Sequence, residues 1–449
     1  MLSPTEQQAI WEKLLHPHRF SRKENSVFEF NPQRNPFIID YDRIIFSSSF
    51  RRLSKKTQVH PLTRNDHIHN RLTHSLEVSC VGKTLGTRVG YFLKGIQALP
   101  NPFQPENIGE IVQAACLAHD IGNPPFGHAG ESAIQDWFKD PINYLYIEPL
   151  TAAQRTDFQA IDGNAQGFRV INSIENNKDS GGLRLTYPTI ATMVKYPNSS
   201  HQAAGRNSTK FNYYQAEQDI FNNIFSSLNL ISGNDTFRHP LSYLSEAADD
   251  ICYRIIDMED ARELNIINLD DIIKITEPLC GKNNIDKGKL SSMDSDRRRT
   301  SMVRTLTIGA LMDSTIEAFK EQYESIISNT HKGPITKYAD DDTKKYMSDA
   351  KDIFYTKIIK NPQKTALEIG SYTLYKRLLD VFIPACYNQV FNKTLTYRQS
   401  QALSLMGVNA PTDQDKIYNS YLRVIDFITG MTDSYATFIS KQFSGTAQN

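Results

Sequence analysis

Histidines and aspartates in three separate segments of the 449-residue chain have the types and order of a metal site. His74 lies in the first segment, the doublet His119-Asp120 in the second, and Asp249 in the third. Two imidazoles and two carboxylates suit a borderline or hard divalent ion, such as Mn, Mg, Fe, Co or Zn. Four protein ligands leave coordination positions for water and a phosphate oxygen, so the pattern predicts a metal-dependent hydrolase.

A second chemical pair follows the His119-Asp120 doublet. The run Gly122 to Gly127 predicts a sharp helix end. His128 and Glu131 come next, and their spacing of three places them on one face of a new helical turn. A carboxylate that contacts an imidazole fixes its tautomer and raises its basicity. We therefore expect His128 to act on a reacting group, with Glu131 as the residue that orients it.

Helices must position these side chains, because apolar residues recur around them at spacings of three and four. One stripe begins at His74, a second ends at His119, and a third surrounds Asp249. Strand signals are few, at Phe37-Ile-Ile and at 366–375. The pattern predicts an all-α protein.

We divide the chain into an N-terminal segment (1–34), a helical core carrying the chemistry (35–275) and a helical C-terminal region (276–449) that closes over the core. Loop composition is clearest at 281–299 and 331–345.

Composition excludes several classes of protein. The net charge is zero, so there is no global attraction to nucleic acid or membranes. The five cysteines are scattered without CxxC spacing, which argues against a disulfide framework or zinc ribbon. The sequence shows neither a signal peptide nor an apolar run long enough for a membrane span. We expect a cytoplasmic protein without membrane contact.

Several motifs, in order between about residues 34 and 262, resemble one known family: the deoxyguanosine triphosphate triphosphohydrolases, the bacterial dNTPase branch of the HD superfamily. They are Ser49-Phe-Arg-Arg-Leu-Ser-Lys-Lys-Thr-Gln58, Arg71-Leu-Thr-His74-Ser-Leu-Glu, Ala118-His119-Asp120-Ile-Gly-Asn-Pro-Pro-Phe-Gly-His128-Ala-Gly-Glu131, Gly163 to Arg169, Leu183 to Tyr187, Lys195-Tyr196-Pro197, and Glu246-Ala-Ala-Asp249-Asp-Ile-Cys-Tyr253. Beyond about residue 265 the likeness is looser, chiefly in Asp426 to Asp433.

The resemblance implies an all-α fold, with an HD-domain helical core and a helical C-terminal extension. It implies hydrolysis of a deoxynucleoside triphosphate to deoxynucleoside and tripolyphosphate, with dGTP as the first substrate to expect. Water attacks the α-phosphorus, and His128, positioned by Glu131, serves as acid toward the leaving 5′-oxygen. The family roles carry over as metal ligands to His74, His119, Asp120 and Asp249, and as phosphate-binding residues to Arg71 and Lys195, with Tyr196 beside them.

A sugar site is implied by the same resemblance. Asp249, Tyr253 and Asp257 are spaced by four and so line one side of a helix. In the family's pattern Gln58 and Asp257 bind the 3′-hydroxyl, and Tyr253 packs where a ribose 2′-hydroxyl would lie. A ring at C2′ excludes ribonucleotides by steric clash.

Two other functions stay open on the sequence alone: an HD phosphodiesterase acting on another nucleotide or phosphate ester, and a sensor that binds nucleotides or single-stranded DNA. The basic cluster Arg51-Arg52 and Lys55-Lys56 is compatible with either a solvated face or a phosphate contact. The motifs leave open whether dGTP alone or all dNTPs are cleaved, and which metal is used. Family likeness implies a homo-oligomer, and an activating dNTP and weak single-stranded DNA binding are further candidate partners.

Overall fold

The protein folds almost entirely as α-helices. A computed structural model describes residues 2–20, 30–63, 65–176, 182–280 and 287–446. Within these ranges the strands are two short segments, β1 (Ile231–Ser232) and β2 (Asp235–Thr236), paired as an antiparallel hairpin. The structure confirms the predicted all-α class.

Ten helices precede residue 195 in the described ranges: α1 (Pro4–Leu14), α2 (Pro36–Ile45), α3 (Ser48–Arg52), α4 (Arg71–Gly95), α5 (Pro105–Ala118), α6 (His128–Lys139), α7 (Tyr144–Ile147), α8 (Ala152–Gln159), α9 (Gly163–Arg169) and α10 (Tyr187–Met193). The helices that follow in the described part of the chain are α11 (Ser200–Gly205), α12 (Gln218–Ser227), α13 (Ser242–Glu263), α14 (Leu269–Cys280), α15 (Lys287–Ser291), α16 (Asp296–Ile327), α17 (Asp341–Ile353), α18 (Pro362–Tyr387), α19 (Tyr397–Ser404), α20 (Ile417–Thr429) and α21 (Asp433–Phe443).

The two predicted strands are wrong, because both segments lie inside helices. Phe37-Ile-Ile belongs to α2, where the Asn35 side chain accepts hydrogen bonds from the backbone N–H groups of Phe37 and Ile38. Pro36 occupies the first helical position, where its missing N–H costs nothing. Residues 366–375 lie in the middle of α18. A short apolar run does not distinguish a strand from a buried helix, and here the capping residue decides.

Helices α4 and α5 pack antiparallel at very short distance. A Cβ atom added to Gly86 would lie 2.8 Å from Gly109 Cα, and one added to Gly82 would lie 2.5 Å from Cys116 Sγ. Only glycine permits this approach of two backbones. The start of α4, which carries His74, therefore lies beside the end of α5.

The buried apolar side chains form two clusters. The first joins α1, α2, α4, α5, α10 and α12–α14 to α16 and α17, and includes the fully buried Trp11, whose indole N–H donates to Tyr323 3.0 Å away. The second joins α6 and α8 to α18–α21. Each cluster draws on residues from both sides of position 275, and the division into 1–34, 35–275 and 276–449 stays a prediction.

The predicted loops are shorter than the composition indicated. Residues 281–286 lie outside the described ranges, α15 occupies 287–291, and α16 begins at Asp296. In the 331–345 segment a 3-10 turn at Ile335–Tyr338 leads to α17 at Asp341. Among the described helices, none has the length and apolarity that crossing a membrane requires.

The close α4–α5 contact predicts that Gly86→Ala destabilises the fold. The new methyl group would overlap the backbone of α5, and overpacking of this kind costs about 1–3 kcal/mol. Gly309→Ala in α16 is the matched control, because nothing lies within 4 Å of its added Cβ. The control should gain about 0.5–1 kcal/mol through helix propensity. Urea unfolding measures both, and equal midpoints for the two variants would contradict the packing argument.

Candidate metal and phosphate site

Three side chains from separate segments meet at one point. One ligand atom from each of His74, His119 and Asp249 lies within 4.8 Å of the other two. The Nε2 atoms of His74 and His119 are 3.2 Å and 3.5 Å from Asp249 Oδ1. Two imidazoles and a carboxylate at this spacing form a donor set suited to a divalent ion.

Helix ends place the two histidines, whereas Asp249 lies inside α13. Asn70 caps α4 by accepting hydrogen bonds from the N–H groups of Leu72 and Thr73, which sets His74 in the first turn. His119 follows the last residue of α5, and its Nδ1 donates to the carbonyl of Cys116 over 2.6 Å. That hydrogen bond directs Nε2 toward the cluster, as in most metal-binding histidines.

Asp120 lies at the edge of the cluster. Its Oδ1 is 3.7 Å from His119 Nε2 and accepts hydrogen bonds from Arg71 (2.6 Å) and the Asn123 side chain (2.8 Å). Its Oδ2 is buried and has no hydrogen-bond partner among the described residues. A buried, unsatisfied carboxylate oxygen beside two imidazoles is costly unless a cation binds it. Its place as the fourth metal ligand stays a prediction.

Two cations balance the carboxylates. Arg71 pairs with Asp120, and Lys195 Nζ lies 2.8 Å from Asp249 Oδ2. Burial opposes ionisation of both acids, but Arg71 holds the pKa of Asp120 below its ordinary value. Lys195 and His119 together hold the pKa of Asp249 well below its ordinary value. Both carboxylates therefore stay ionised at neutral pH.

The histidine chemistry agrees with a cation site. Burial favours neutral His119, but the charges of Asp120 and Asp249 outweigh it and raise the pKa of the imidazole. The same negative field that favours a proton on this ring favours a divalent ion in its place. The donor types, the unpartnered Asp120 Oδ2 and the direction of His119 Nε2 together fit a metal ion.

His119 and Asp249, together with Asp120, line a cavity of about 610 Å³, whereas His74 is buried. Lysine and arginine side chains from four segments line it: Arg71, Lys195, Lys210 and Lys364. Acidic side chains that line it are Asp120, Asp249, Asp250 and Glu368. The volume lies within the range typical of small-molecule sites. Alternating cations and acids around a metal-type cluster suit a phosphorylated ligand held against an ion.

Three of the predicted substrate residues, Gln58, Tyr196 and Tyr253, line this cavity. The Tyr253 ring packs against Phe354, with ring centroids 5.0 Å apart. Asp257, four residues further along α13, is not among the residues that line the cavity and is 2% exposed. Burial and the nearby Asp260 raise its pKa well above the ordinary value. Gln58 Oε1 and Asp257 Oδ2 are buried atoms without hydrogen-bond partners among the described residues.

His128 and Glu131 share the first turn of α6 but differ in surroundings. His128 is exposed and lines the cavity next to Asp120. Glu131 is buried, and its Oε1 accepts a hydrogen bond from the Gly163 N–H over 2.7 Å. Burial and the charge of Asp162 raise the pKa of Glu131. Among the described contacts no hydrogen bond joins Glu131 to His128, so its orienting role stays a prediction.

Several residues at the cavity escaped the sequence reasoning. Lys210 lies five residues beyond the end of α11 and donates to Asp162 over 2.9 Å. Phe354, Tyr355 and Lys364 come from the turn after α17 and from α18. No local motif marks them, because they reach the cavity through packing between segments far apart in sequence. Their helical setting and aromatic or basic character were the available signals.

The basic clusters have structural partners. Lys56 is 4% exposed, and its ammonium donates to two backbone carbonyls. The run Arg297-Arg298-Arg299 opens α16 and pairs with Glu263, Asp294 and Asp296. The second run is therefore a surface of ion pairs, which does not favour a nucleic-acid site there.

Known proteins match the chain over almost all of its length. A family model described as HD domain matches residues 71–151, a range that holds His74, the doublet and His128. The deoxyguanosinetriphosphate triphosphohydrolase-like protein of Pseudomonas aeruginosa (strain LESB58) is 42% identical over 97% of this chain and 98% of its own. A protein of the same name from Listeria monocytogenes serovar 1/2a is 32% identical over 97% and 99%.

The deoxyguanosinetriphosphate triphosphohydrolase of Yersinia pestis (strain Pestoides F) is more distant, at 29% identity over 95% of this chain and 96% of its own. The likeness to these proteins extends well past the HD match and includes the C-terminal helices that close the cavity. On identity of this extent, the chain belongs to the deoxyguanosinetriphosphate triphosphohydrolase family of HD-domain proteins.

Proposed function

We propose that the protein is a metal-dependent triphosphohydrolase that converts a deoxynucleoside triphosphate and water to deoxynucleoside and tripolyphosphate. The observation that carries the proposal is the cluster of His74, His119 and Asp249, of which His119 and Asp249 line a cavity together with four basic side chains. The names of the related proteins from P. aeruginosa and Y. pestis support the same substrate class. The metal ligands in this proposal are His74, His119, Asp120 and Asp249.

The chain's own residues supply binding and proton transfer. When bound, a divalent ion would act as a Lewis acid, lowering the pKa of water and offsetting negative charge on the phosphate oxygens. Arg71 and Lys195 stand beside the donor cluster and bind phosphate oxygens as negative charge develops. Water forms a bond to the α-phosphorus as the bond from phosphorus to the 5′-oxygen breaks. His128 gives a proton to that oxygen, and the deoxynucleoside leaves.

In the proposal, one side of the cavity binds the sugar and selects deoxyribose. Tyr253 is held by Phe354, so its ring cannot turn aside without disturbing the packing. In the proposal this ring occupies the space of a ribose 2′-hydroxyl. Gln58 Oε1 and Asp257 Oδ2 are buried and have no hydrogen-bond partner among the described residues. In the proposal these two atoms form hydrogen bonds with the 3′-hydroxyl. Tyr196 lies on the phosphate side with Lys195.

A product assay tests this function directly. The protein would be incubated with each dNTP, the four together, and GTP, in Mn²⁺ or Mg²⁺, and the phosphates separated by anion exchange. We expect tripolyphosphate and deoxynucleoside from at least one dNTP or from the mixture, and far slower turnover of GTP because of Tyr253. The same assay identifies the preferred base and any activation by a second dNTP. Pyrophosphate with monophosphate, or no turnover under any condition, would contradict the proposal.

His128→Ala separates proton transfer from metal binding. The imidazole lines the cavity but lies outside the tight donor cluster, so the variant should retain its metal. Loss of the acid should lower kcat by about 100-fold or more. His201→Ala, an exposed histidine in α11, is the matched control and should keep normal activity. Metal content is measured beside kcat, and a fall of both in step would make His128 a ligand instead.

A further inference from the structure

The first residue of α21 holds a buried carboxylate with an unusual set of partners. Asp433 is 2% exposed. Its Oδ1 accepts a hydrogen bond from the N–H of Phe126 over 3.1 Å. Its Oδ2 accepts from the N–H of Thr57 over 2.9 Å and also from the Thr57 hydroxyl. One carboxylate from the C-terminal region therefore binds two segments that lie 69 residues apart in the chain (126 minus 57).

Both segments carry residues of the proposed active site. Thr57 directly precedes Gln58, and Phe126 lies two residues before His128. Phe126 has φ of +62°, in the left-handed region that a bulky residue rarely adopts. A conformation of this kind is strained and persists where its surroundings hold it. The hydrogen bond from its N–H to Asp433 is such a restraint.

Lys56 makes a second connection of the same kind. Its buried ammonium donates to the carbonyl of Asn123 and to the carbonyl of Thr429, each over 2.6 Å. Asn123 in turn donates through its side chain to Asp120 over 2.8 Å. Thr429 is the last residue of α20. Lys56 thus ties the loop after the His119-Asp120 doublet to the same C-terminal turn that carries Asp433.

An ordinary helix-capping role does not explain Asp433. The cap of α21 is Thr432, whose hydroxyl accepts from the N–H of Tyr435. Among the described residues, the hydrogen-bond partners of the Asp433 carboxylate all lie outside its own helix. The side chain therefore stabilises the site loops rather than the helix that carries it.

We propose that Asp433 and Lys56 are positioning residues, which lock the Gln58 segment and the His128 segment against the turn between α20 and α21. The proposal rests on the proposed function for its kinetic consequence. The C-terminal region then serves the reaction by fixing, from outside the cavity, the separation of the sugar-binding and acid residues. A carboxylate is needed at 433 because all of its partners are donors.

Asp433→Asn tests the lock with two independent measurements. The amide nitrogen of the new side chain would face the backbone N–H of either Thr57 or Phe126. Two donors cannot form a hydrogen bond with each other, so one of the two segments would lose its contact with residue 433. Hydrogen exchange should quicken in peptides covering 56–60 and 120–128, and remain unchanged in α16. The kcat for dNTP hydrolysis should fall by about 100-fold, the scale of a misplacement near 1 Å. Bound metal should remain, because the donor cluster itself is unaltered.

Matched variants keep the test decisive. Asp341→Asn makes the same change at the first residue of α17, on a fully exposed side chain, and should alter neither exchange nor kcat. Thr57→Ala removes one hydroxyl donor to Asp433 and should lower kcat on the order of tenfold, while Thr57→Ser should restore it. If Asp433→Asn does not fold, the two Thr57 variants test the positioning role of Asp433 in its place.

The proposal is overturned if Asp433→Asn folds and shows unchanged exchange at 56–60 and 120–128, or if its kcat equals that of the wild type. It is also overturned if Thr57→Ala and Thr57→Ser have equal kcat. Exchange needs no substrate, so it judges the lock even where the wild-type protein turns over no dNTP. In that case the proposed function fails, and hydrogen exchange alone decides whether Asp433 holds the two segments in place.

Discussion

The charge balance between two carboxylates and their cations is the constraint on which the rest of the site depends. The buried Asp120 lies beside His119, and the half-buried Asp249 lies beside both His74 and His119. Arg71 and Lys195 each pair with one of the acids and keep both ionised. Buried charges without partners would be too costly to keep. The same arrangement draws in a divalent ion and the phosphates of a substrate.

This balance requires the helices to place the charges accurately. Gly86 and Gly109 allow α4 and α5 to touch, which sets His74 beside His119. Residues from α13 and from the turn after α17 complete the cavity wall. Hydrogen bonds of Lys56 and Asp433 join the C-terminal helices to the segments that carry Gln58 and His128. Packing far from the cavity therefore determines the distances between the reacting groups.

The grouping of His74, His119 and Asp249 could be predicted from the sequence because each of them sits on its own local helical pattern. His74, His119 and Asp249 needed no long-range information beyond the requirement that buried apolar stripes face one another. The all-α class followed from the same periodicity. The predicted strand at Phe37-Ile-Ile failed because a short apolar run is ambiguous, and Asn35 with Pro36 decides for a helix.

Other parts of the site could not be predicted from local patterns. Lys364 and Tyr355 reach the cavity only through the packing of α17 and α18 against the core. The partners of Asp433 lie more than 300 residues away in the chain. The i, i+3 spacing of His128 and Glu131 put both on the first turn of α6, but the buried backbone N–H of Gly163 takes the carboxylate oxygen. Spacing fixes a helix face, whereas competition between donors decides the hydrogen bond.

We propose that Asp120 completes a binding site for a divalent ion with His74, His119 and Asp249. The most direct test is Mn²⁺ titration, followed by electron paramagnetic resonance, of the wild type, Asp120→Ala and the exposed control Asp136→Ala. We expect the wild type and the control to bind a single ion per chain with equal affinity. Asp120→Ala should bind more weakly by about 100-fold or more. Equal affinity in all three proteins would show that Asp120 is not a ligand of the ion.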